Sequence, residues 1–235
     1  MTETPAAAIP PEHGATGFSW GRFAALTDRV AGVFVECTAP MTENIHGGLL
    51  FSDGLCFCAL CDYFDVDVVV EGGTGFGGST EMFARYFGPH RLRGIWSVDQ
   101  AVNPRWEWLL AALHLKHYSR FTWSTEKRAR AEAKVRLAPF PYVRLVRGDA
   151  HVRLPRLVAR LAGQQARIGV LLDGPKGEEQ IRLADRLLEA SDRVRFVALD
   201  DIGPMFDYEA RGERFRAHPR AAFATSERRY FDRFG

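Results

Sequence analysis

Glu71, Asp99, Asp173 and the adjacent pair Asp200 and Asp201 each close an apolar run, Asp149 follows another, and Lys176 comes three residues after Asp173. A single acid at such a position is unremarkable, because Asp favours turns and helix caps. Five such run-ends in register make a site. If the runs are neighbouring strands, Asp173, Asp200 and Asp201 meet at one rim, where uncompensated negative charge is costly. A hard divalent cation with oxygen ligands, such as Mg²⁺, resolves that repulsion. A lysine beside it is suited to take the proton of a hydroxyl whose pKa the cation has lowered. The plainer alternative makes Asp173 a turn former, Asp200 and Asp201 a surface pair and Lys176 an ordinary exposed lysine.

The second group with chemical content is the stretch from Val66 to Thr80, VDVVVEGGTGFGGST. Its valines favour a strand buried on both faces, as in a parallel sheet. After Glu71 the chain breaks into Gly72, Gly73, Thr74, Gly75, Phe76, Gly77 and Gly78, and a helix starts at about Ser79. Glycines let backbone approach a ligand closely, and a helix N-terminus presents amide N–H groups to it, so this turn reads as a nucleotide cradle. Asp99 lies about twenty residues beyond Gly78, where a carboxylate accepts hydrogen bonds from ribose hydroxyls. Asp99 also stands before Asn103-Pro104, and the alternative makes it the start of a turn.

Elements able to position these residues follow from the patterning. From Val66 onward, apolar runs alternate with helical patterns, the signature of an α/β fold with a mostly parallel, Rossmann-like sheet and helices on both faces. Strands are expected near 66–71, 93–98, 142–147, 168–173 and 194–200, and helices over STEMFARYF, 104–118, 125–137, 152–162 and 177–190. Two further helices, near 20–32 and 53–63, form an N-terminal cap spanning 18–64. Residues 1–17 read as a disordered leader, 18–235 as one domain, and 101–140 as a helical insert within it. A short strand is a candidate at 220–225. Asp149, just after a strand and before a helix, is either a cap or a contact to an adenine amino group. Cys56, Cys58 and Cys61 lack the paired spacing of a zinc site and have no nearby His, so they read as small core residues of an apolar helix.

Composition sets outer limits. At 46% hydrophobic and 26% charged residues the chain is ordinary globular material. A net charge of +2 gives no strong case for nucleic acid or membrane, and a small-molecule partner fits at least as well. Lys127, Arg128, Arg130, Lys134 and Arg136 read as a solvated helix face rather than a binding surface. No apolar run approaches the roughly 20 residues of a bilayer span, and the polar start lacks a signal peptide's pattern, so a cytoplasmic location is expected. Homo-oligomerisation is left open.

The glycine pattern alone fits two fingerprints. Gly73-x-Gly75-x-x-Gly78 matches that of dinucleotide-binding proteins, and Glu71-x-Gly73-x-Gly75-x-Gly77 matches the first motif of S-adenosylmethionine-dependent methyltransferases. With Asp173-Gly174-Pro175-Lys176 and Asp200-Asp201 added, the chain resembles the class I methyltransferases over about residues 45–205, and among them the metal-dependent O-methyltransferases of the catechol O-methyltransferase type. The Gly-Gly-Ser-Thr start of the first helix after the turn is similar to the macrocin O-methyltransferase and cephalosporin hydroxylase-like group. This resemblance implies S-adenosylmethionine contacts from Glu71, Gly72, Gly73, Thr74, Gly75, Gly77, Ser79, Asp99 and Asp149. It implies Mg²⁺ or another divalent cation held by Asp173, Asp200 and Asp201, with Lys176 as base, and a small-molecule hydroxyl as acceptor: a natural product, sugar or catechol-like compound. The long basic insert and the short region after the fifth strand depart from the family pattern. Two alternatives remain: a cephalosporin hydroxylase-like metal enzyme on the same fold, and an NAD(P)-dependent oxidoreductase, which leaves the rim aspartates without a role.

Overall fold

The computed structural model describes residues 18–41, 49–99, 123–173 and 178–200. The element order is α1 (Trp20–Thr38), α2 (Phe51–Tyr63), β1 (Val68–Gly72), α3 (Gly78–Arg91), β2 (Gly94–Asp99), α4 (Trp123–Leu137), β3 (Val143–Arg147), α5 (Ala150–Gly163), β4 (Ile168–Leu172), α6 (Glu178–Ala190) and β5 (Val194–Leu199). The five strands form one sheet in the order β3-β2-β1-β4-β5, and every neighbouring pair is parallel. This is the Rossmann-like α/β arrangement expected from the alternation of strands and helices, with the strand order reversing between β1 and β4.

Each strand is near its expected position, because β1 and β4 are continuous apolar runs buried along their whole length. Their pleat splits the core in two. Val69, Ile95 and Leu171 pack with Phe23 and Phe34 of α1, Phe57 and Cys58 of α2 and Met82 and Phe83 of α3 on one face. Val68, Val70, Val98, Val170 and Leu172 pack on the other against Leu154, Leu157, Val158 and Leu161 of α5 and Leu183 and Leu187 of α6. Cys58 and Cys61 are fully buried in α2 and burial pushes both thiols well up, so they act as core, as the spacing suggested. Helix α3 breaks at Gly88, where φ is 61°, just before Pro89, so its regular part ends where the STEMFARYF pattern does. The helix expected at 104–118 and the strand expected at 220–225 lie outside the described residues.

Helix α1 continues six residues past its expected end. The β-branched Val33, Val35 and Thr38 weaken the helix signal there. Phe34 at 2% exposure and the Thr38 hydroxyl, donating to the Phe34 carbonyl at 2.8 Å, hold the extra turns.

Helix α4, from the basic insert, is only partly a solvated face. Arg128 and Lys134 are exposed, but Ala129, Ala133 and Leu137 are buried and Arg136 turns inward to Glu81 of α3 at 2.7 Å. That helix fixes the glycine turn from the side. Gly77 caps α3 at φ 81°, and a Cβ there would lie 3.2 Å from Ala133 Cβ and 3.2 Å from Leu137 Cδ1. A left-handed conformation costs a side-chain-bearing residue about 1–2 kcal/mol, and the crowding adds to it. Gly75, at φ 48° with nothing within 4 Å of its Cβ position, carries only the first of these costs. Gly77→Ala is therefore expected to lower unfolding free energy by about 2 kcal/mol or more and Gly75→Ala by about 1 kcal/mol. Urea unfolding of the two variants side by side checks this, and equal losses would remove the contact with α4 from the explanation.

Candidate functional site

Register places the strand-end acids. Gly72 pairs with Val98 and Leu172, Leu172 pairs with Leu199, and Asp99 pairs with Arg147. One residue further along, the backbone continues this order: Gly73 N–H donates to Val98 O at 2.9 Å, Asp173 N–H to Gly72 O at 2.9 Å and Asp200 N–H to Leu172 O at 3.0 Å. Asp99, Gly73, Asp173 and Asp200 thus form one row across the carboxyl edge of four adjacent strands, and all four are half-buried. Neighbouring strands lie about 4.8 Å apart, so Asp173 and Asp200 are adjacent residues of this row. The row crosses the point between β1 and β4 where strand order reverses, and open α/β sheets bind ligands there.

Beneath the row lies Glu71, two residues before Gly73 and fully buried. One of its oxygens accepts from the Ser79 hydroxyl; the other accepts from the Thr80 hydroxyl and, at 2.5 Å, from the Ser97 hydroxyl. Ser97 has one proton and gives it to Glu71, so the contact between Thr74 Oγ1 and Ser97 Oγ, at 2.6 Å, has Thr74 as donor. A chain of hydroxyls therefore runs from the glycine turn through β2 to the carboxylate and on to the first turn of α3. Burial pushes the Glu71 carboxyl up to about 7; the hydroxyls of Ser79, Ser97 and Thr80 pull the other way, and the negative charge of Asp173 raises it further.

The residues expected to contact a nucleotide divide into two sets. Glu71, Gly72, Thr74, Gly77 and Ser79 are buried and form the underside of the turn, with Gly72 inside β1 and the Ser79 side chain spent on Glu71. Gly73 and Gly75 reach the surface, at φ 110° and 48°, beside Asp99. Asp149 is exposed and caps α5, its carboxylate accepting from His151 N–H at 2.8 Å. Lys176 and Asp201 lie outside the described residues. Among the described residues no group of three or more His, Cys, Asp or Glu side chains is gathered as a metal site. The donors that are described, Asp173 and Asp200, are oxygen ligands on adjacent strand ends, which suits a hard cation. The exposed glycine backbone beside the N-terminus of α3 suits an anionic or polar nucleotide group.

Sequence reasoning passed over Ser97, Thr80 and Gln180. Ser97 had a signal, a hydroxyl inside the apolar run GIWSVD. Gln180 had none: it is 2% exposed in the first turn of α6, and its amide donates to Leu172 O at 2.6 Å and to Asp200 O at 3.2 Å.

No known protein family's sequence profile matches this chain, and no curated protein matches it. Solved structures that it resembles include methyltransferases. The SAH-bound methyltransferase PaMTH1 of Podospora anserina is 13% identical with a TM-score of 0.46, over 98% of this chain and 85% of that one. Cofactor-bound Rv0187 from MTB is 19% identical with a TM-score of 0.43, over 87% and 76%. The calicheamicin methyltransferase CalS11 is 18% identical with a TM-score of 0.41, over 84% of each chain. At these values the resemblance concerns the course of the backbone only.

The elevated Glu71 pKa has a consequence for stability. Between its ordinary value of 4.5 and about 7, the folded protein holds a proton that the unfolded chain has released. The contribution of Glu71 to stability therefore falls as pH rises through that window and is level above it. Glu71→Gln removes this component, so the variant gains on the wild type by up to about 3 kcal/mol between pH 4.5 and pH 7.5. Urea unfolding of both proteins across that range is the measurement, and parallel pH profiles would count against a neutralisable Glu71.

Proposed function

We propose that this chain is an S-adenosylmethionine-dependent O-methyltransferase that uses a divalent cation and acts on a hydroxyl of a small molecule, such as a natural product, sugar or catechol-like acceptor. What carries this reading is the juxtaposition at the sheet's carboxyl edge. An exposed glycine turn and a ribose-type acid, Asp99, stand on one side of the strand-order reversal, and the acids Asp173 and Asp200 stand on the other. A dinucleotide oxidoreductase uses the first half of this arrangement and has no need of the second.

In this reading the backbone at Gly73 and Gly75 and the N-terminus of α3 bind the nucleotide end of the methyl donor, and Asp99 accepts its ribose hydroxyls. Asp173 and Asp200, with Asp201 from sequence, would hold the cation; bound there, it lowers the pKa of an acceptor hydroxyl and stabilises the resulting negative charge. Lys176, assigned from sequence, takes the hydroxyl proton at Nζ. The remaining task of the site is positional: to hold the acceptor oxygen at near-attack distance from the methyl group with water kept out.

Calorimetric titration with S-adenosylmethionine in the presence of Mg²⁺, with NAD in a parallel run, tests the cofactor. Saturable binding of S-adenosylmethionine alone is expected, and binding of NAD alone would overturn the assignment. Asp173→Ala and Asp200→Ala are each expected to abolish Mg²⁺-dependent methyl transfer while leaving S-adenosylmethionine affinity within about threefold, because both residues lie across the strand-order reversal from β2. Lys176→Ala should lower turnover about 10²-fold or more at unchanged cofactor affinity. Full activity in the two aspartate variants would remove the cation, and full activity in the lysine variant would remove the base.

A further inference from the structure

We infer that Gln180 is a positioning residue for the acidic rim: its side-chain amide ties together the ends of β4 and β5 and so sets the spacing of Asp173 and Asp200. The inference rests on the proposed role of those two acids as cation ligands.

Gln180 begins the inward-facing stripe of α6, followed at helical spacing by Leu183, Ala184 and Leu187, all buried against the sheet. A leucine at 180 would complete that stripe. An amide buried there is costly unless its N–H groups are satisfied. Both protons of Nε2 have partners, Leu172 O at 2.6 Å and Asp200 O at 3.2 Å. These two carbonyls have a shared significance. The Leu172 carbonyl belongs to the peptide unit that leads into Asp173, and the Asp200 carbonyl to the unit that leaves Asp200. Leu172 O also accepts from Asp200 N–H at 3.0 Å, the contact that carries the β4–β5 pairing past the last paired residues. Gln180 is thus a second link between the strands where a cation held by both acids would need their separation fixed. Hydrogen-bond partners outside the coordination sphere that orient metal ligands are typically worth 10-fold to 100-fold in metal affinity or activity.

The test uses the full-length protein and Mn²⁺ alone, with unbound Mn²⁺ counted by electron paramagnetic resonance. Gln180→Leu removes the two hydrogen bonds and suits the apolar stripe. It is expected to retain folding stability and S-adenosylmethionine affinity while losing about tenfold or more in Mn²⁺ affinity. Gln180→Asn keeps the amide but shortens its reach by one methylene, and the same loss is expected from it. It decides the matter if Gln180→Leu does not fold. Wild-type Mn²⁺ affinity in a folded variant would overturn the positioning role. Asp173→Ala, run in parallel, separates this from failure of the underlying reading. If the wild type takes up no Mn²⁺, or Asp173→Ala binds it as the wild type does, the cation assignment falls and the role of Gln180 falls with it. If Asp173→Ala loses Mn²⁺ and the Gln180 variants do not, only the inference about Gln180 fails.

Discussion

A carboxylate sealed inside the sheet governs the geometry of the candidate site. Glu71 sits in the central strand with no exposure and receives three hydroxyl hydrogen bonds, from Ser79 and Thr80 in the first turn of α3 and from Ser97 in β2. Burial of an ionised carboxyl costs several kcal/mol unless it is compensated. Here the compensation comes from groups whose positions define the turn. The partial positive charge at the N-terminus of α3 acts in the same direction. A glycine-rich loop left to itself would sample many conformations, because glycine has few steric limits. Hydroxyls converging from two elements on one carboxylate, and Thr74 reaching Ser97, restrict this loop. The loop is thus held from below, while Gly75 at its tip stays exposed among the described residues.

Much of the fold could be read from the chain because the strongest signals are local. Valine runs such as VDVVVE and IGVLL have little alternative to a doubly buried strand, and glycines after the first of them mark the turn. Asp99, Asp173 and Asp200 were equally legible, since a parallel sheet brings the carboxyl ends of its strands to one edge, whereas Glu71 lies beneath that row and Asp149 caps α5 outside it. Other features depend on packing, which sequence does not display. The last turns of α1 contain β-branched residues that weaken a helix pattern, and burial of Phe34 with the Thr38 hydroxyl bond to its carbonyl supports them. Gln180 looks like any glutamine on a helix until β4 and β5 are seen to end beneath it. The underside role of Ser79 likewise has no local mark, because a serine at a helix start is as well suited to a ligand as to a neighbouring carboxylate.

The two polar anchors form a common design around the strand-order reversal. Glu71 accepts hydrogen bonds and fixes the turn after β1 to β2 and α3; Gln180 donates them and fixes the end of β4 to β5 and α6. Each replaces an apolar residue that would satisfy the core on its side of the sheet; both oxygens of Glu71 accept hydrogen bonds and both amide protons of Gln180 are donated. Core burial alone aligns strands but leaves their ends free to splay, since hydrophobic contact is non-directional. A buried acid or amide with fixed partners supplies the missing direction. Both anchors lie directly under the residues that would touch ligand, Gly73 and Asp99 above one, Asp173 and Asp200 beside the other.

Electrostatics link the halves. The negative charge of Asp173 contributes to the high pKa of Glu71 although the two are separated by strand-end backbone. A cation at the rim would act in the opposite sense on Glu71, so the protonation of the buried acid depends on the charge held at the sheet's edge. Helix α4 adds a further restraint from the side. Arg136 and Arg85 both engage Glu81 at 2.7 Å, one turn into α3, while Ala133 rests against Gly77. The glycine turn is consequently confined by a carboxylate below, an ion-paired helix beside it and the β2 hydroxyl behind it. At its tip Gly75 is exposed, and the half-buried Gly73 lies in the same row as Asp99, Asp173 and Asp200, so the restraints on the turn also fix its place along the carboxyl edge of the sheet.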